Sequence, residues 1–358
     1  MFRRIVTGIA LVLTALLSGC VTQLGTEVIR AGRPAYNDAI LATADELLLQ
    51  NIVRLRFVDS LGFLTVSSVT ASVSLSTTGT VNLGFGPTGN YQGNLVPFAG
   101  SLTSEQNPTI SYTPVTGDRV MRQLMGEIPV DLVILLLNGA PDHKAVWYAL
   151  MRRVNNIRNP DFLEPPILAP DRRFEQITEL ASELQRRGIL YWVRLPSTQP
   201  GHAMVLHSYS PASSREVTQL LELLGIAKPA REGGDVVVAI QRAVGSPEPG
   251  TIAIETRSMF DLMHLAAASV ELPADIAAWA RNYPQRGPAG KDIRILSASS
   301  RPAQARVAVE YRGRWYYIED TDQPTKQWFL MLHLLASAQV PDTGAGVGPV
   351  LTLPAGKR

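Results

Sequence analysis

Residues 171–195 read DRRFEQITELASELQRRGILYWVRL. Asp171 is placed to cap a helix, because a short carboxylate before an apolar-periodic run accepts the otherwise unpaired N–H groups of the first turn. Phe174, Ile177, Leu180, Ala181 and Leu184 recur at helical spacing and form one stripe. Gly188 stops the helix, and Ile189 to Leu195 is a short apolar run of strand length. A capped amphipathic helix that gives way at once to a strand sets the class for this half of the chain. It predicts an α+β fold of mixed sheets with packed helices.

The same alternation continues toward the C-terminus. Ala203 to His207 reads as a strand. Ser213-Ser214-Arg215-Glu216 is a capping box that opens a helix with Val217, Leu220, Leu221 and Leu224 inward and Gly225 at its end. Further strands are predicted at Asp235–Ile240, Thr251–Glu255 and Ile293–Leu296, with helices from Ser258 to about Val270 and from Pro273. Arg306–Tyr311 and Arg314–Ile318, joined at Arg312-Gly313, form the clearest hairpin. A last helix runs from about Asp322 to Gln339, and 341–358 read as a flexible Gly/Pro-rich tail.

Toward the N-terminus, residues 159–170 contain four prolines and no periodicity, which predicts an interdomain linker or a rigid crossing loop. A helical block is expected from about Asp118 to Arg158, interrupted at Pro129 and at Asn138–Pro141, with Leu132–Leu137 as a buried core helix. Phe63–Leu75 and Thr80–Phe85 read as two strands around Thr78-Gly79, with a bulge near Ser68. The glycine-rich stretch from Gly84 to Gly100 reads as a long loop presenting Tyr91, Pro97 and Phe98, followed by a short strand at Ile110–Thr113. Asn37 to Phe57 is an amphipathic helix whose polar side, Asp45 and Arg54 included, mixes both signs. A mixed polar face favours packing on the protein over lying on a membrane. Two parts result, 37–158 and 171–340, behind a tether at 20–36.

The first nineteen residues differ from all of this. Arg3 and Arg4 precede an apolar run from Ile5 to Leu17, which closes on Leu17-Ser18-Gly19-Cys20. A basic start, an apolar stretch too short to span a bilayer comfortably and small residues at its end make a secretory signal, with a transmembrane anchor as the lesser alternative. Leu-Ser-Gly-Cys resembles the lipobox of bacterial lipoproteins. The resemblance covers residues 1–20 only. It implies that the Cys20 thiol receives a diacylglyceryl group, that cleavage falls before Cys20, and that the new amine is acylated. Chains so modified stay on their membrane, because more than one acyl chain anchors stably. Val21 stands where an Asp would retain an enteric lipoprotein in the inner membrane, so the resemblance implies the outer membrane, with the body in the periplasm.

Composition excludes some functions. The 358 residues are 46% hydrophobic and 18% charged with a formal net charge of +2, so no bulk charge recruits nucleic acid. Cys20 is the single cysteine, which leaves no thiol for a disulfide or a Cys-based metal site. Gly84 to Gly89 matches G-x-G-x-x-G, but the Pro, Asn and Gly that follow prevent the helix a dinucleotide site requires. His143, His202, His207, His264 and His333 show no zinc-binding spacing, and neither G-x-S-x-G nor S-x-x-K is present. Glu319, Asp320 and Asp322 read as helix-capping acids before they read as calcium ligands. No metal and no cofactor is therefore expected.

Arg312, Arg314 and Trp315, beside Tyr316 and Tyr317, form an aromatic-basic cluster that suits core packing, a partner contact or glycan binding. With Tyr91 and Phe98 they are the candidate partner-binding residues, and Cys20 is the lipidation site. The expectation is a lipid-anchored, non-catalytic accessory or scaffold subunit of a cell-envelope assembly. The alternatives are a periplasmic lipoprotein that binds glycan, lipid or peptide, and a hydrolase built around His202 or His207.

Overall fold

The computed structural model describes residues 37–62, 64–81, 98–114, 118–163, 169–196, 201–207, 214–227, 233–243, 248–276 and 285–339. Residues 1–36 with Cys20, and Tyr91, lie outside the described residues. The fold is α+β, and the described chain forms two compact units, one of 37–61 with 121–339 and the other within 62–120. These units fall elsewhere than the expected boundary at 159–170, which lies inside the first.

The first unit begins with helix α1 (37–56), whose Leu49, Ile52, Val53 and Leu55 are buried. In the second unit β1 (Leu64–Val81) and β2 (Phe98–Pro114) pair antiparallel along their whole length. The expected turn at Thr78-Gly79 is absent, since Gly79 sits in the ladder opposite Gly100. Phe98, expected in a loop, begins β2 opposite Val81, and the expected four-residue strand at Ile110 is the end of that long strand. The slip expected near Ser68 is a β-bulge between Val66 and Ser68.

Helices α2 (Asp118–Met125), α3 (Val130–Gly139) and α4 (His143–Leu150) follow. The helical block ends there. The expected helix does not continue through 151–158, because β3 (Met151–Val154) and β4 (Ile157–Arg158) make a hairpin. Its turn residue Asn155 has φ 51°, a left-handed conformation that Asn tolerates better than most side chains. Asn155 Nδ2 donates to the carbonyl of Leu224, at the end of the helix over Ser214–Leu224, and its Oδ1 accepts the N–H of Ala253, so the turn is fastened to a helix end and a strand. The Leu132–Leu137 run is likewise not buried all round. Val133, Ile134 and Leu137 are buried, while Leu135 is 67% exposed, as on a surface helix.

After β5 (Phe162–Leu163) come α5 (Arg172–Arg186), β6 (Leu190–Arg194), β7 (His202–Leu206), α6 (Ser214–Leu224), β8 (Val236–Arg242), β9 (Ile252–Thr256) and α7 (Met259–Ala267). Asp171 caps α5 by accepting the Arg173 N–H at 2.9 Å, and Ser258 caps α7 in a capping box with Asp261. The central sheet has the order β4-β3-β9-β8-β7-β6 and is antiparallel except for β8–β9. That parallel pair is joined by a loop shorter than the dozen or so residues a crossover needs. It manages this because only Ile240, Gln241 and Arg242 pair with β9, so the chain steps back by a few residues only. β9 lies between β8 and β3, and its Ile252, Ala253, Ile254 and Thr256 are buried.

The chain closes with β10 (Gln285–Arg286), which pairs with β5, and a three-stranded sheet of β11 (Leu296–Ala298), β12 (Ala305–Tyr311) and β13 (Arg314–Glu319) in the order β11-β13-β12. The predicted β12–β13 hairpin turns at Arg312 and Gly313, with φ of 51° and 75°. Last comes α8 (Gln323–Gln339), whose first turn is capped by Asp322 through the N–H of Thr325 at 3.2 Å.

Candidate functional site

A dense polar cluster gathers where α4 ends, β9 ends and the proline-rich stretch begins. α4 leaves its last carbonyls without helical partners and carries the negative end of its dipole there. Arg257, directly after β9, supplies the donors. Its main-chain N–H donates to Leu150 O at 2.9 Å. Its Nη1 donates to the carbonyls of Tyr148, Ala149 and Met151 at 2.8, 2.9 and 3.0 Å, and its Nη2 to Asn159 O at 2.7 Å. Nε pairs with Asp161 Oδ1. The Arg257 side chain is fully buried, yet every nitrogen has an acceptor, which is the condition for keeping a guanidinium out of water. Burial pushes its pKa down, and Asp161 opposes that shift.

Arg152 on β3 doubles the charge network. Its Nη2 bridges Asp161 Oδ2 at 2.9 Å and Asp261 Oδ2 at 2.6 Å. Burial drives the Asp261 carboxyl upward, but hydrogen bonds from the Ser258 hydroxyl and N–H and the Arg152 charge outweigh it. The carboxyl is held below its ordinary value. Asn159 Nδ2 adds bonds to Tyr148 O and Met151 O, while its buried Oδ1 has no donor among the described residues. Residues 159–161 are thus stitched into the core.

Beside this network opens a cleft of about 220 Å³ lined in part by Tyr148, Arg158, Asn159, Asp171, Glu175 and Lys291. Burial, with the Glu175 and Glu179 charges, pushes the Tyr148 phenol up to about 12, so it stays a neutral hydrogen-bonding group. Lys291 Nζ lies 5.5 Å from the centre of its ring. The cleft offers both charge signs and a phenol. Its volume is below the range of about 300–1,000 Å³ usual for ligand pockets. The network itself clamps backbone, and its one hydroxyl, Ser258, is engaged as a helix cap.

The histidines weighed for hydrolysis each meet a carboxylate. His202 Nε2 is 2.7 Å from Asp131 Oδ1, and His207 Nδ1 is 2.8 Å from Asp235 Oδ1. Among the described residues no serine hydroxyl is hydrogen-bonded to either ring. No group of three or more potential metal ligands occurs among the described residues.

The candidate partner residues on the β12–β13 hairpin are tied within their own chain. Arg312 Nη2 bonds Asp59 Oδ2 at 2.7 Å, and its guanidinium lies 4.8 Å from the Phe57 ring centre, at the end of α1. Arg314 reaches Asp275 at 3.5 Å, and Arg301 stacks over Trp315 at 5.3 Å. The Tyr311 hydroxyl holds the Asp59 carboxyl below its ordinary value; burial opposes it, and Arg312 adds to the lowering. Tyr316 and Ile318 are buried, and Trp315 and Tyr317 half-buried, as strand alternation requires.

A surface missed in the sequence lies on the central sheet. Tyr191, Val205 and Val237 stand in register across β6, β7 and β8, with Tyr191 47% and Val237 60% exposed. The alternation that locates such a row is legible, but which sheet face stays open depends on where α3 and α5 pack.

No known protein family, curated protein or solved structure matches this chain. No helix among the described residues is long and apolar enough to cross a membrane.

Proposed function

We propose that this protein is a lipid-anchored, non-catalytic accessory or scaffold subunit of a cell-envelope assembly, held at the outer membrane through Cys20 with its body in the periplasm. The observation that carries the reading is Leu17-Ser18-Gly19-Cys20 at the end of a short apolar run, with this the only thiol in the chain. The row Tyr191–Val205–Val237, exposed at Tyr191 and Val237 and half-buried at Val205, supports it. Aligned apolar groups on an open sheet face are costly in water and suit a protein contact. Tyr91, Phe98, Arg314 and Trp315 remain the proposed partner contacts on the other elements, with Arg312 holding its hairpin to α1.

A second reading, binding of a small polar ligand, rests on the cleft at Tyr148 and the unmatched Asn159 Oδ1. The small volume ranks it behind the first.

The test is a crosslinked pull-down of the full-length lipidated protein from cell envelopes beside a Cys20→Ala variant. A stoichiometric envelope partner that is lost in the variant is the expected result. A lipidated protein recovered as a lone monomer would overturn the scaffold reading in favour of the ligand reading. Failure of Cys20 to carry lipid would overturn the address itself.

A further inference from the structure

The β1–β2 ribbon has a composition unlike the rest of the chain. Its two strands hold 18 and 17 residues and carry one formal charge, Glu105. Beyond the bulge, two-residue alternation and the register sort their positions onto two faces. One parity of β1 holds Ser68, Thr70, Ser72, Ser74, Ser76 and Thr78, every one a hydroxyl. Opposite them on β2 fall Ser101, Thr103, Glu105, Asn107, Thr109 and Ser111, so the single charge belongs to this polar face. The other parity holds Val69, Val73, Leu75 and Val81 with Leu102 and Ile110, interrupted by Thr77, Ser104 and Gln106.

Phe98 and Tyr112 belong to this second face and mark its two ends. At about 3.4 Å per residue their separation is about 47 Å along the strand. At the ~45° tilt of a membrane strand that becomes about 33 Å, close to the ~30 Å of a bilayer's hydrocarbon core. An apolar face bounded by aromatic residues, backed by a polar uncharged face, is the alternation of a transmembrane β-strand pair.

Such a ribbon is incomplete alone. Among the described residues β1 and β2 pair only with each other, so each strand has an outer edge of N–H and C=O groups that no described strand pairs. An isolated two-stranded ribbon is marginal in water, and in lipid unpaired backbone groups are intolerable. A closed ring of strands satisfies both constraints. The edges complement copies of themselves, since β1 of one ribbon meets β2 of the next in the same antiparallel sense that joins them within one chain. Pro108, opposite Ala71, withholds one donor from whichever ladder that position serves.

We propose that the β1–β2 ribbons of several copies of this chain join edge to edge into one closed transmembrane β-barrel, with the hydroxyl face toward an aqueous lumen and the apolar face toward lipid. The inference rests on the membrane address of the preceding subsection and turns the scaffold into a pore-forming subunit whose partner is a second copy of this chain.

The experiment uses the full-length lipidated protein in cell envelopes. Single cysteines are placed at successive positions as Thr70→Cys, Ala71→Cys, Ser72→Cys, Val73→Cys, Ser74→Cys and Leu75→Cys, and reacted with a membrane-impermeant maleimide. Cys20 adds no background, because its sulfur carries the lipid. Only a thiol in water ionises and reacts, so labelling is expected to alternate about tenfold, with Thr70→Cys, Ser72→Cys and Ser74→Cys reactive. Native mass spectrometry of the same protein in detergent is expected to give one discrete multimer. Replacing 64–114 by a short Gly-Ser linker is expected to reduce it to the monomer while lipidation persists. Uniform labelling, or a monomer from the intact chain that is lipidated and membrane-held, overturns the barrel and leaves the anchored-scaffold reading standing. Absence of lipid on Cys20 overturns both.

Discussion

The guanidinium of Arg257 is sealed from solvent against the carboxylate of Asp161, 96 residues earlier in the chain. Around that contact, the carbonyls at the end of α4 and the main chain of Asn159 take the remaining donors. One side chain therefore terminates a helix, holds the end of β9 and fixes the proline-rich stretch. A buried pair of this kind adds little net stability over an apolar substitute, but breaking one partner leaves a charge in the core.

Asp161→Asn removes that partner and leaves Arg257 with neutral acceptors only. The expected loss is about 3–5 kcal/mol, the range for an uncompensated buried charge. Denaturant unfolding of the full-length protein in detergent measures it. A loss below about 1 kcal/mol, the level of an exposed pair, would show that water reaches the guanidinium. Arg257→Lys is expected to fare no better, since one ammonium cannot reach the carbonyls that the fork spans.

Acid weakens the fold in two stages. Burial, opposed by the Asp261 and Asp161 charges, holds His264 below its ordinary 6.5. The unfolded chain then takes up that proton first, so stability is full above about pH 6.5 and falls as pH drops through the window beneath it. Asp261, held below its ordinary 3.8, gives a second decline of the same sign as pH falls under that value. Urea midpoints at pH 7.5, 6 and 5 should decrease in order, and His264→Gln should flatten this upper stage. A midpoint that rises toward pH 5 would contradict the assignment.

Much of this fold could be read from local chemistry. The α5–β6 unit needed only the Asp171 cap, one apolar stripe and Gly188 at φ 67°. The β12–β13 hairpin needed only its alternation and Arg312-Gly313. What could not be read depends on residues far apart. Met151–Val154 is too short for its period to separate strand from helix, and its neighbour β9 lies about a hundred residues away. Thr78-Gly79 looks like a turn until its partner strand is known, because glycine is as permissible in a ladder opposite Gly100 as at a corner. The Arg257 cluster left no local trace at all, since its meaning lies in carbonyls that any sequence would supply.

Asp45 illustrates the same limit and gives a further prediction. An acid on α1 reads as solvated, yet it is buried, with Oδ2 2.8 Å from Arg306 Nη2 on β12 and Oδ1 2.9 Å from His333 Nδ1 on α8. α1 is therefore held to two elements near the other end of the sequence. Asp45→Ala should cost roughly 1.5–3 kcal/mol, the value of hydrogen bonds to charged groups. Hydrogen exchange should rise in α1 before it rises in β9. Equal protection of both would show that α1 is held by Leu49, Ile52 and Val53 alone.

Gly287 tests how tightly the proline-rich stretch must lie. It follows β10, and its N–H donates to Asp161 O at 3.0 Å. A β-carbon there would stand 2.3 Å from Pro160 O and 2.9 Å from Asp161 O, both main-chain atoms that cannot swing aside. Gly287→Ala must therefore push 160–161 outward, which draws the Asp161 carboxylate away from Arg257 and Arg152 together. Overpacking of this kind costs about 1–3 kcal/mol by itself. If the push breaks the ion pair as well, the single methyl should approach the loss caused by Asp161→Asn, and the two substitutions combined should lose much less than their sum. Strict additivity of the two in denaturant unfolding would show that the glycine and the ion pair act independently.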